Sequence, residues 1–152
     1  MPSNEENIVS DIKKKFSSLS EKIRIQRERR IWIEVGYPEF SGLLDYLIGT
    51  QGFARFCTVT GLDENENLSF IYHIARQDGV VANVKTSVPK NNPTIKTVTG
   101  HFPSALVPEK ELEDLFGAKV EGLKPGFRYP LPDDWPEGEY PLRKDWKGGK
   151  DK

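Results

Sequence analysis

The sequence predicts an α+β domain: a mostly antiparallel, mixed sheet with helices on one face, followed by an extended C-terminal tail. Three observations predict it. Apolar residues recur every three or four positions in three segments, as in amphipathic helices, and every second position in five others, as in half-buried strands. Neither period continues far beyond Gly117. The resulting order, α-β-β-α-β-β-β-α-tail, is accommodated by a meander-rich sheet that buries one face against helices.

The first three predicted elements are a helix over residues 5–17 and two strands over residues 23–26 and 30–35, joined by a charged turn. In the helix the apolar side chains lie four positions apart, and in the strands they alternate with polar ones. These apolar positions are Ile8, Ile12 and Phe16 in the helix and Ile23, Ile25, Ile31, Ile33 and Val35 in the strands. One face of each element is therefore expected in the core.

A second helix and three more strands are predicted to follow. Pro38 suits the first turn of a helix and Gly52 suits its exit, with an apolar stripe between them. The pair Asp78-Gly79 favours a tight hairpin between the last two strands. The prolines beyond the last strand, Pro89 and Pro93, are expected to end the sheet. The three predicted strands cover residues 53–60, 68–76 and 80–88.

A short acidic helix is predicted over residues 108–116. Its first-turn carboxylates lie where the helix dipole favours negative charge, and a glycine follows its last turn, as at many helix ends. We assign a structural role to Glu109, Glu111, Asp114, Phe116 and Gly117. The alternative is an enzyme that uses carboxylates of this helix for acid–base work. That enzyme would need a cleft that joins Glu113 or Asp114 to another titratable group.

The predicted boundary divides an α+β domain, residues 1–117, from a C-terminal tail, residues 118–152, that belongs to the same unit. The tail is rich in proline and glycine, yet it carries five aromatic residues: Phe127, Tyr129, Trp135, Tyr140 and Trp146. Large aromatic side chains are costly to leave in water. We therefore expect the tail to lie ordered on a surface, either of its own domain or of a partner.

Composition excludes several classes of function. The net charge of −1 gives no global field to attract nucleic acid, and no apolar run approaches the roughly 20 residues of a membrane span. The single cysteine and the two histidines, Cys57, His73 and His101, are too few for a structural zinc site or an iron–sulfur cluster. We expect Cys57 to be a small buried side chain and both histidines to be hydrogen-bonded strand or loop residues. Neither a phosphate-binding loop nor a dinucleotide fingerprint occurs.

A series of short motifs points to a known family. In chain order they are Gly52-Phe53, Thr60-Gly61-Leu62-Asp63, Phe70-Ile71-Tyr72-His73, Val88-Pro89, the helix from Glu109 to Gly117, Leu131-Pro132-Asp133-Asp134-Trp135 and Tyr140-Pro141-Leu142-Arg143-Lys144-Asp145-Trp146. Together they resemble the 30 kDa subunit of the peripheral arm of NADH:quinone oxidoreductase (complex I). They equally resemble the matching small subunit of complex-I-related membrane-bound NiFe hydrogenases.

The chain departs from the family pattern in two places. Lys110 stands where the family usually has arginine, and residues 120–125 lack the histidine of the usual Phe-Glu-Gly-His-Pro segment. The altered histidine and the short ends of the chain favour the hydrogenase branch over the NADH/quinone branch.

The resemblance implies a subunit without a redox centre of its own. Such a subunit braces a large partner during electron transfer coupled to ion translocation, here in an energy-converting hydrogenase. The implied partners are a large hydrogenase-like or quinone-site subunit and an Fe–S small subunit, which would hold the iron–sulfur clusters and a NiFe centre. We expect a peripheral position on the cytoplasmic face of the membrane, membrane contact through other subunits alone, and no nucleic acid.

The tail is the predicted docking segment. It combines aromatic side chains, rigid turns and both signs of charge, and Trp, Tyr and Arg dominate interface hot spots. We expect Arg143 to form a bidentate contact with a partner carboxylate. The alternative function is a free-standing binding module whose tail folds back on its own sheet. The residues predicted to dock are Asp133, Asp134, Trp135, Tyr140, Pro141, Leu142, Arg143, Lys144, Asp145 and Trp146.

Overall fold

The computed structural model describes residues 1–148 and shows a mixed α+β fold over them. The α-helices of this part are α1 (Asn4–Lys15), α2 (Tyr37–Gly49) and α3 (Leu106–Phe116). Its strands are β1 (Ile23–Arg27), β2 (Arg30–Glu34), β3 (Arg55–Asp63), β4 (Asn67–Ala75), β5 (Val81–Pro89), β6 (Thr94–Lys96) and β7 (Lys119–Glu121). The three predicted helices and the five predicted strands are all present, within a few residues of the expected bounds.

The chain forms two compact units. The first comprises residues 1–60 and 70–87, and the second comprises residues 61–69 and the chain from Val88 onward. The second unit therefore includes the last residues of β3 and β5 and the first residues of β4. The division predicted from the sequence, a domain of residues 1–117 with a tail of residues 118–152 in the same unit, stays a prediction.

The first unit is built on a five-stranded sheet with the order β1-β2-β5-β4-β3. Strands β1 and β2 form an antiparallel hairpin, whereas β2 and β5 run parallel, with Trp32 opposite Asn83. The sheet is thus mixed and mostly antiparallel, and the predicted fold class is confirmed.

The core of the first unit is formed by the apolar stripes that the sequence pattern predicts. Ile8 and Ile12 of α1 are buried, and the four buried residues of α2 include Phe40. The Phe40 ring lies 4.9 Å from the ring of Tyr72, whose side chain projects from β4. Helix α1 begins with a capping box, in which the Ser3 and Glu6 side chains bind each other's backbone N–H groups.

The second unit contains a two-stranded parallel sheet that the sequence analysis missed. Strand β6 follows Pro93 directly and pairs with β7, with Ile95 opposite Val120. Sheet structure therefore continues after Pro93, contrary to the prediction. The predicted tail also begins with a strand, β7. A strand of three residues is too short to display a period of two, so the pattern of apolar residues carried no signal for this pair.

Cys57 is exposed, and the prediction that it is a buried filler is wrong. It lies near the start of β3, which is the edge strand of the sheet and has a neighbouring strand on one side only. The prediction for His73 is confirmed. Its Nδ1 donates to Asn83 Oδ1 at 2.6 Å, and its Nε2 lies 2.8 Å from Thr60 Oγ1.

Candidate partner-docking site

The last part of the predicted docking tail, residues 140–146, is called the docking segment below, and it lies against the C-terminal end of α3 in the second unit. The backbone N–H of Leu142 donates to Leu115 O at 3.0 Å, and Arg143 Nε donates to Phe116 O at 2.6 Å. The last carbonyls of a helix have no partner within the helix and form the negative end of its dipole. The tail therefore caps α3, and the Arg143 cation lies where that dipole favours positive charge.

Gly117 directly follows the last residue of α3 and allows this contact. It adopts the left-handed conformation, with φ at 71°, and its N–H donates to Glu113 O. The prediction that Gly117 closes the helix is thus confirmed. A Cβ atom at this position would lie 2.4 Å from Cε2 of Tyr140, so the Tyr140 ring packs directly on the glycine backbone. The ring in turn carries the Arg143 guanidinium, 4.7 Å from its centroid.

Asp63 is a second attachment point for the tail. Its Oδ2 accepts from the backbone N–H of Lys144 at 2.8 Å and from Lys90 Nζ at 2.7 Å, and its Oδ1 accepts from Asn65 N at 2.9 Å. Lys90 also lies 3.3 Å from Asp145 Oδ1. The carboxylate of Asp63 is therefore bound to three separate parts of the second unit.

Electrostatics favour the ionised form of Asp63. Burial acts to raise the pKa of this carboxyl, but the Lys90 ammonium and the N–H groups of Lys144 and Asn65 together hold the pKa below its usual range. The same hydrogen bond to Asp63 raises the pKa of Lys90. The pair is consequently an ion pair at neutral pH. Sequence analysis quoted Asp63 within a motif but gave it no role, because its partners lie far away along the chain.

Asp114 holds the middle of the tail. Its Oδ1 accepts from Arg128 Nε at 3.2 Å, and its Oδ2 accepts from the backbone N–H of Leu131 at 3.0 Å. An amino group of Arg128 also donates a hydrogen bond to Trp135 O at 2.9 Å. Asp114 was assigned a structural role in its helix, and the structure extends that role to the tail.

Two tryptophans close the docking segment into a compact loop. Trp135 Nε1 donates to Glu139 O at 2.9 Å, and Trp146 Nε1 donates to a carboxylate oxygen of the same residue at 3.4 Å. The two indole rings lie 6.1 Å apart. Both side chains are half-buried, so part of each ring stays accessible. The tail is therefore ordered on its own unit, which is one of the two placements expected from its aromatic content.

Three carboxylates of α3 bind three different sets of partners. Glu109 is buried and accepts from Val98 N at 2.8 Å and from the Thr97 hydroxyl. Glu113 forms an ion pair with Lys110 at 3.2 Å, and Asp114 binds Arg128. Glu111 is half-buried on the same helix. Glu113 and Asp114 are thus each paired with a cation, and the structural role assigned to this helix stays a prediction.

The environment of Glu109 alters the acidity of its carboxyl group. Burial raises the pKa of its carboxyl, and the charge of Glu113 acts in the same direction, against the lowering effect of the bonds from Thr97 and Val98. A raised folded pKa means that the folded protein binds this proton more tightly than the unfolded chain. Its contribution to stability is thus fully present below the unfolded pKa and is lost as pH rises through the folded pKa.

We expect Glu109→Gln to keep the acceptor for Val98 N–H while removing a buried charge. Its free energy of unfolding at pH 7 should equal or exceed that of the wild type, and the pH dependence above the ordinary carboxyl range should weaken. Glu109→Ala should instead cost about 1–3 kcal/mol, because Val98 N–H loses its partner. Urea unfolding at a series of pH values measures both. Equal losses in the two variants would contradict this account of the buried carboxylate.

The outer surface of the tail combines exposed apolar and charged groups. Leu142 is 52% exposed, and Asp133, Asp134, Lys144 and Asp145 are exposed as well. A depression of about 290 Å³ runs beside the segment between Gly138 and Gly148. A mixed surface of this kind, on a segment already held in one conformation, is suited to binding another protein.

Residues 1–148 show neither a membrane-spanning helix nor a cluster of metal ligands. No helix in this range has the length and apolar character needed to cross a membrane. Over the same residues, no three His, Cys, Asp or Glu side chains gather as a group that could hold a metal ion.

Comparison with known proteins gives a consistent result. Residues 33–152 match the protein family described as the 30 kDa subunit of respiratory-chain NADH dehydrogenase. The chain is similar to the beta subunit of the membrane-bound hydrogenase of Pyrococcus furiosus, with 29% identity over 96% of this chain and 88% of that protein. It is also similar to one subunit of the F(420)H(2) dehydrogenase of Methanosarcina mazei, with 33% identity over 85% of this chain and 86% of that protein.

A solved structure resembles the chain over nearly its whole length. It belongs to the membrane-bound sulfane sulfur reductase (MBS), an archaeal respiratory membrane complex. The TM-score is 0.84 and the identity 27%, over 95% of this chain and 86% of the other.

Proposed function

Because the chain belongs to the family of the 30 kDa subunit of respiratory-chain NADH dehydrogenase, we propose that it is a peripheral subunit of a membrane-bound, complex-I-related oxidoreductase. The family resemblance stated from the motifs is thereby confirmed. Within that family we propose the energy-converting hydrogenase type. The similarity to a membrane-bound hydrogenase subunit over almost the entire chain supports this choice over the NADH/quinone type.

We propose that the subunit itself holds no redox centre and braces a large partner subunit by means of its tail. The observation that carries this proposal is the attachment of residues 140–146 to α3 and Asp63, which leaves Leu142 and the neighbouring charges exposed. A segment held in its binding conformation pays less ordering entropy when it docks. Bracing then consists of holding the partner in a fixed position during electron transfer coupled to ion translocation.

The proposed partners follow from the same assignment. The large hydrogenase-like or quinone-site subunit is the partner for the docking segment, and an Fe–S small subunit would complete the peripheral arm. Iron–sulfur clusters and a NiFe centre would be in those subunits. The proposed position is the cytoplasmic face of the membrane, with membrane contact through other subunits.

The hydrogen bond that Arg143 makes within this chain restricts which of its nitrogen atoms can bind a partner carboxylate. Among the described residues, hydrogen bonding of this side chain uses Nε, which donates to Phe116 O. Its two amino groups remain for a carboxylate of the partner. A bidentate contact would therefore involve the end of the guanidinium, and Lys144 would not reproduce it, since an ammonium lacks the planar fork.

The test of the proposed function is a substitution that changes the outer surface of the tail and leaves its attachment intact. Leu142→Asp replaces a side chain that is 52% exposed, so we expect an unchanged melting temperature. Placing a charge in the apolar centre of an interface should weaken binding of the large subunit about 30-fold, or about 2 kcal/mol. The measurement is recovery of the large subunit on the tagged protein from native membranes.

The matched control is Val107→Asp. Val107 is 40% exposed on α3 and lies outside the tail, so the same change of charge should leave recovery unaltered. Equal recovery by wild type, Leu142→Asp and Val107→Asp would contradict docking through the tail. If the wild type recovers no large subunit at all, the second candidate function holds. That candidate is a free-standing binding module, and the attachment of the tail to its own unit is the observation in its favour.

A further inference from the structure

The first unit carries a cluster of positively charged residues that lies outside the docking tail. Between Lys13 and Arg30 the chain has eight lysines and arginines but only two glutamates, although its net charge is −1 overall. Arg24, Arg27 and Arg29 are all exposed. This stretch comprises the last turn of α1, strand β1 and the turn that leads to β2. Local charge of one sign attracts partners of the opposite sign even when the protein is nearly neutral.

A groove lies within this basic region, between α1 and β1. It has a volume of about 460 Å³ and is lined by Glu6, Val9, Ser10, Lys13, Lys14 and Ile25. Ile25 is 38% exposed, whereas Ile23 on the same strand is buried. The second isoleucine of β1 thus stays open in the groove beside Val9. The groove has an apolar floor formed by these two residues, and two lysines and one glutamate also line it.

The Lys14 ammonium is available for a ligand. Lys14 is 3.7 Å from Asp11, but 75% of its side chain is exposed, and an ion pair so exposed contributes little. A carboxylate from another molecule would therefore compete with Asp11 at small cost.

We propose that the groove between α1 and β1 docks an acidic, amphipathic segment of another protein. An apolar side chain of that segment would lie against Val9 and Ile25, and its carboxylates would face Lys13 and Lys14. Charge complementarity selects an acidic partner, and the apolar floor requires that the segment also carry an apolar residue. The proposal is independent of the tail, because the residues that line the groove belong to the first unit and the docking segment belongs to the second.

The composition of the groove favours a protein segment over a lipid surface or a nucleic acid. Membrane-surface elements present a wide apolar face, whereas this groove has two apolar residues, Val9 and Ile25, beside polar and charged ones. Single-stranded nucleic acids stack their bases on aromatic side chains, and the lining described above contains none. A side chain that projects from a peptide fits a concave apolar floor with a charged rim.

The experiment is photo-crosslinking in native membranes, with a photo-reactive phenylalanine analogue at Ile25. We expect a cross-link to a protein segment in which acidic residues clearly outnumber basic ones, identified by mass spectrometry. A cross-link to lipid, to nucleic acid or to a neutral or basic segment would overturn the proposal, as would no cross-link.

Charge reversal provides the second arm. In the Lys13→Glu/Lys14→Glu background the cross-link yield should fall about tenfold, because like charges then face each other. Lys119→Glu/Lys124→Glu makes the same change at two exposed lysines of the second unit and should leave the yield unchanged. Equal yields in the two double variants would refute the role of the groove lysines. Recovery of the large subunit by Leu142→Asp, measured in parallel, tests the tail and separates the two proposals.

Discussion

Replacing Gly117 with alanine is expected to lower the free energy of unfolding by about 2–5 kcal/mol and to release the docking segment. Two costs add. An L-residue in the left-handed region, here at φ 71°, loses about 1–2 kcal/mol. The new methyl group would also lie 2.4 Å from the Tyr140 ring, and relieving such an overlap costs about 1–3 kcal/mol. Because the ring moves more easily than the helix, Tyr140 and the residues after it should leave α3.

Gly138→Ala is the matched control. Gly138 has a similar φ of 77°, but a Cβ atom there meets nothing within 4 Å. It should therefore show the backbone cost without the overlap. Urea unfolding gives the two losses in stability, and limited proteolysis reports whether the tail becomes accessible. If the two variants lose the same stability and their tails stay equally protected, packing of Tyr140 on Gly117 contributes nothing to the attachment of the tail.

The second large effect is expected at Asp63. Asp63→Ala removes the acceptor of Lys144 N–H and the partner of Lys90 in one step. The Lys144 N–H then loses its acceptor, and the largely buried Lys90 ammonium loses its nearer carboxylate while it keeps Asp145 at 3.3 Å, so we expect a cost of about 2–4 kcal/mol. Since Lys144 belongs to the docking segment, the variant should also bind the large subunit less well. Asp133→Ala, which removes an exposed carboxylate from the tail, should leave the free energy of unfolding unchanged.

The pH dependence distinguishes this ion pair from a simple packing effect. The folded pKa of Asp63 lies below its unfolded value, so its contribution to stability is present above the unfolded pKa and is lost as pH falls through the folded pKa. Wild type should therefore lose stability in the acidic range more steeply than Asp63→Asn. Parallel stability curves for wild type and Asp63→Asn would show that the charge of Asp63 has no role.

Arg143 shows which contact a sequence motif can predict and which contact it cannot. Its residue type within a Tyr-Pro-Leu-Arg-Lys-Asp-Trp motif favours a contact with a carboxylate. The structure adds a bond to a backbone carbonyl at the end of α3, a group that every helix leaves available and that no motif marks. The same side chain thus has an internal role in capping and a proposed external role in docking.

The sequence by itself determined the fold class, the positions of α1 to α3 and β1 to β5, and the family. It did so because periodicity records which side of an element is buried, and because the family motifs are contiguous. Only the tertiary structure decided that Asp63 holds Lys144, 81 positions further on, that Tyr140 packs on Gly117, and that β6 pairs with β7. These contacts join backbone groups and short segments from distant parts of the chain. Such groups are common to all residues, so no pattern of side chains marks which of them meet.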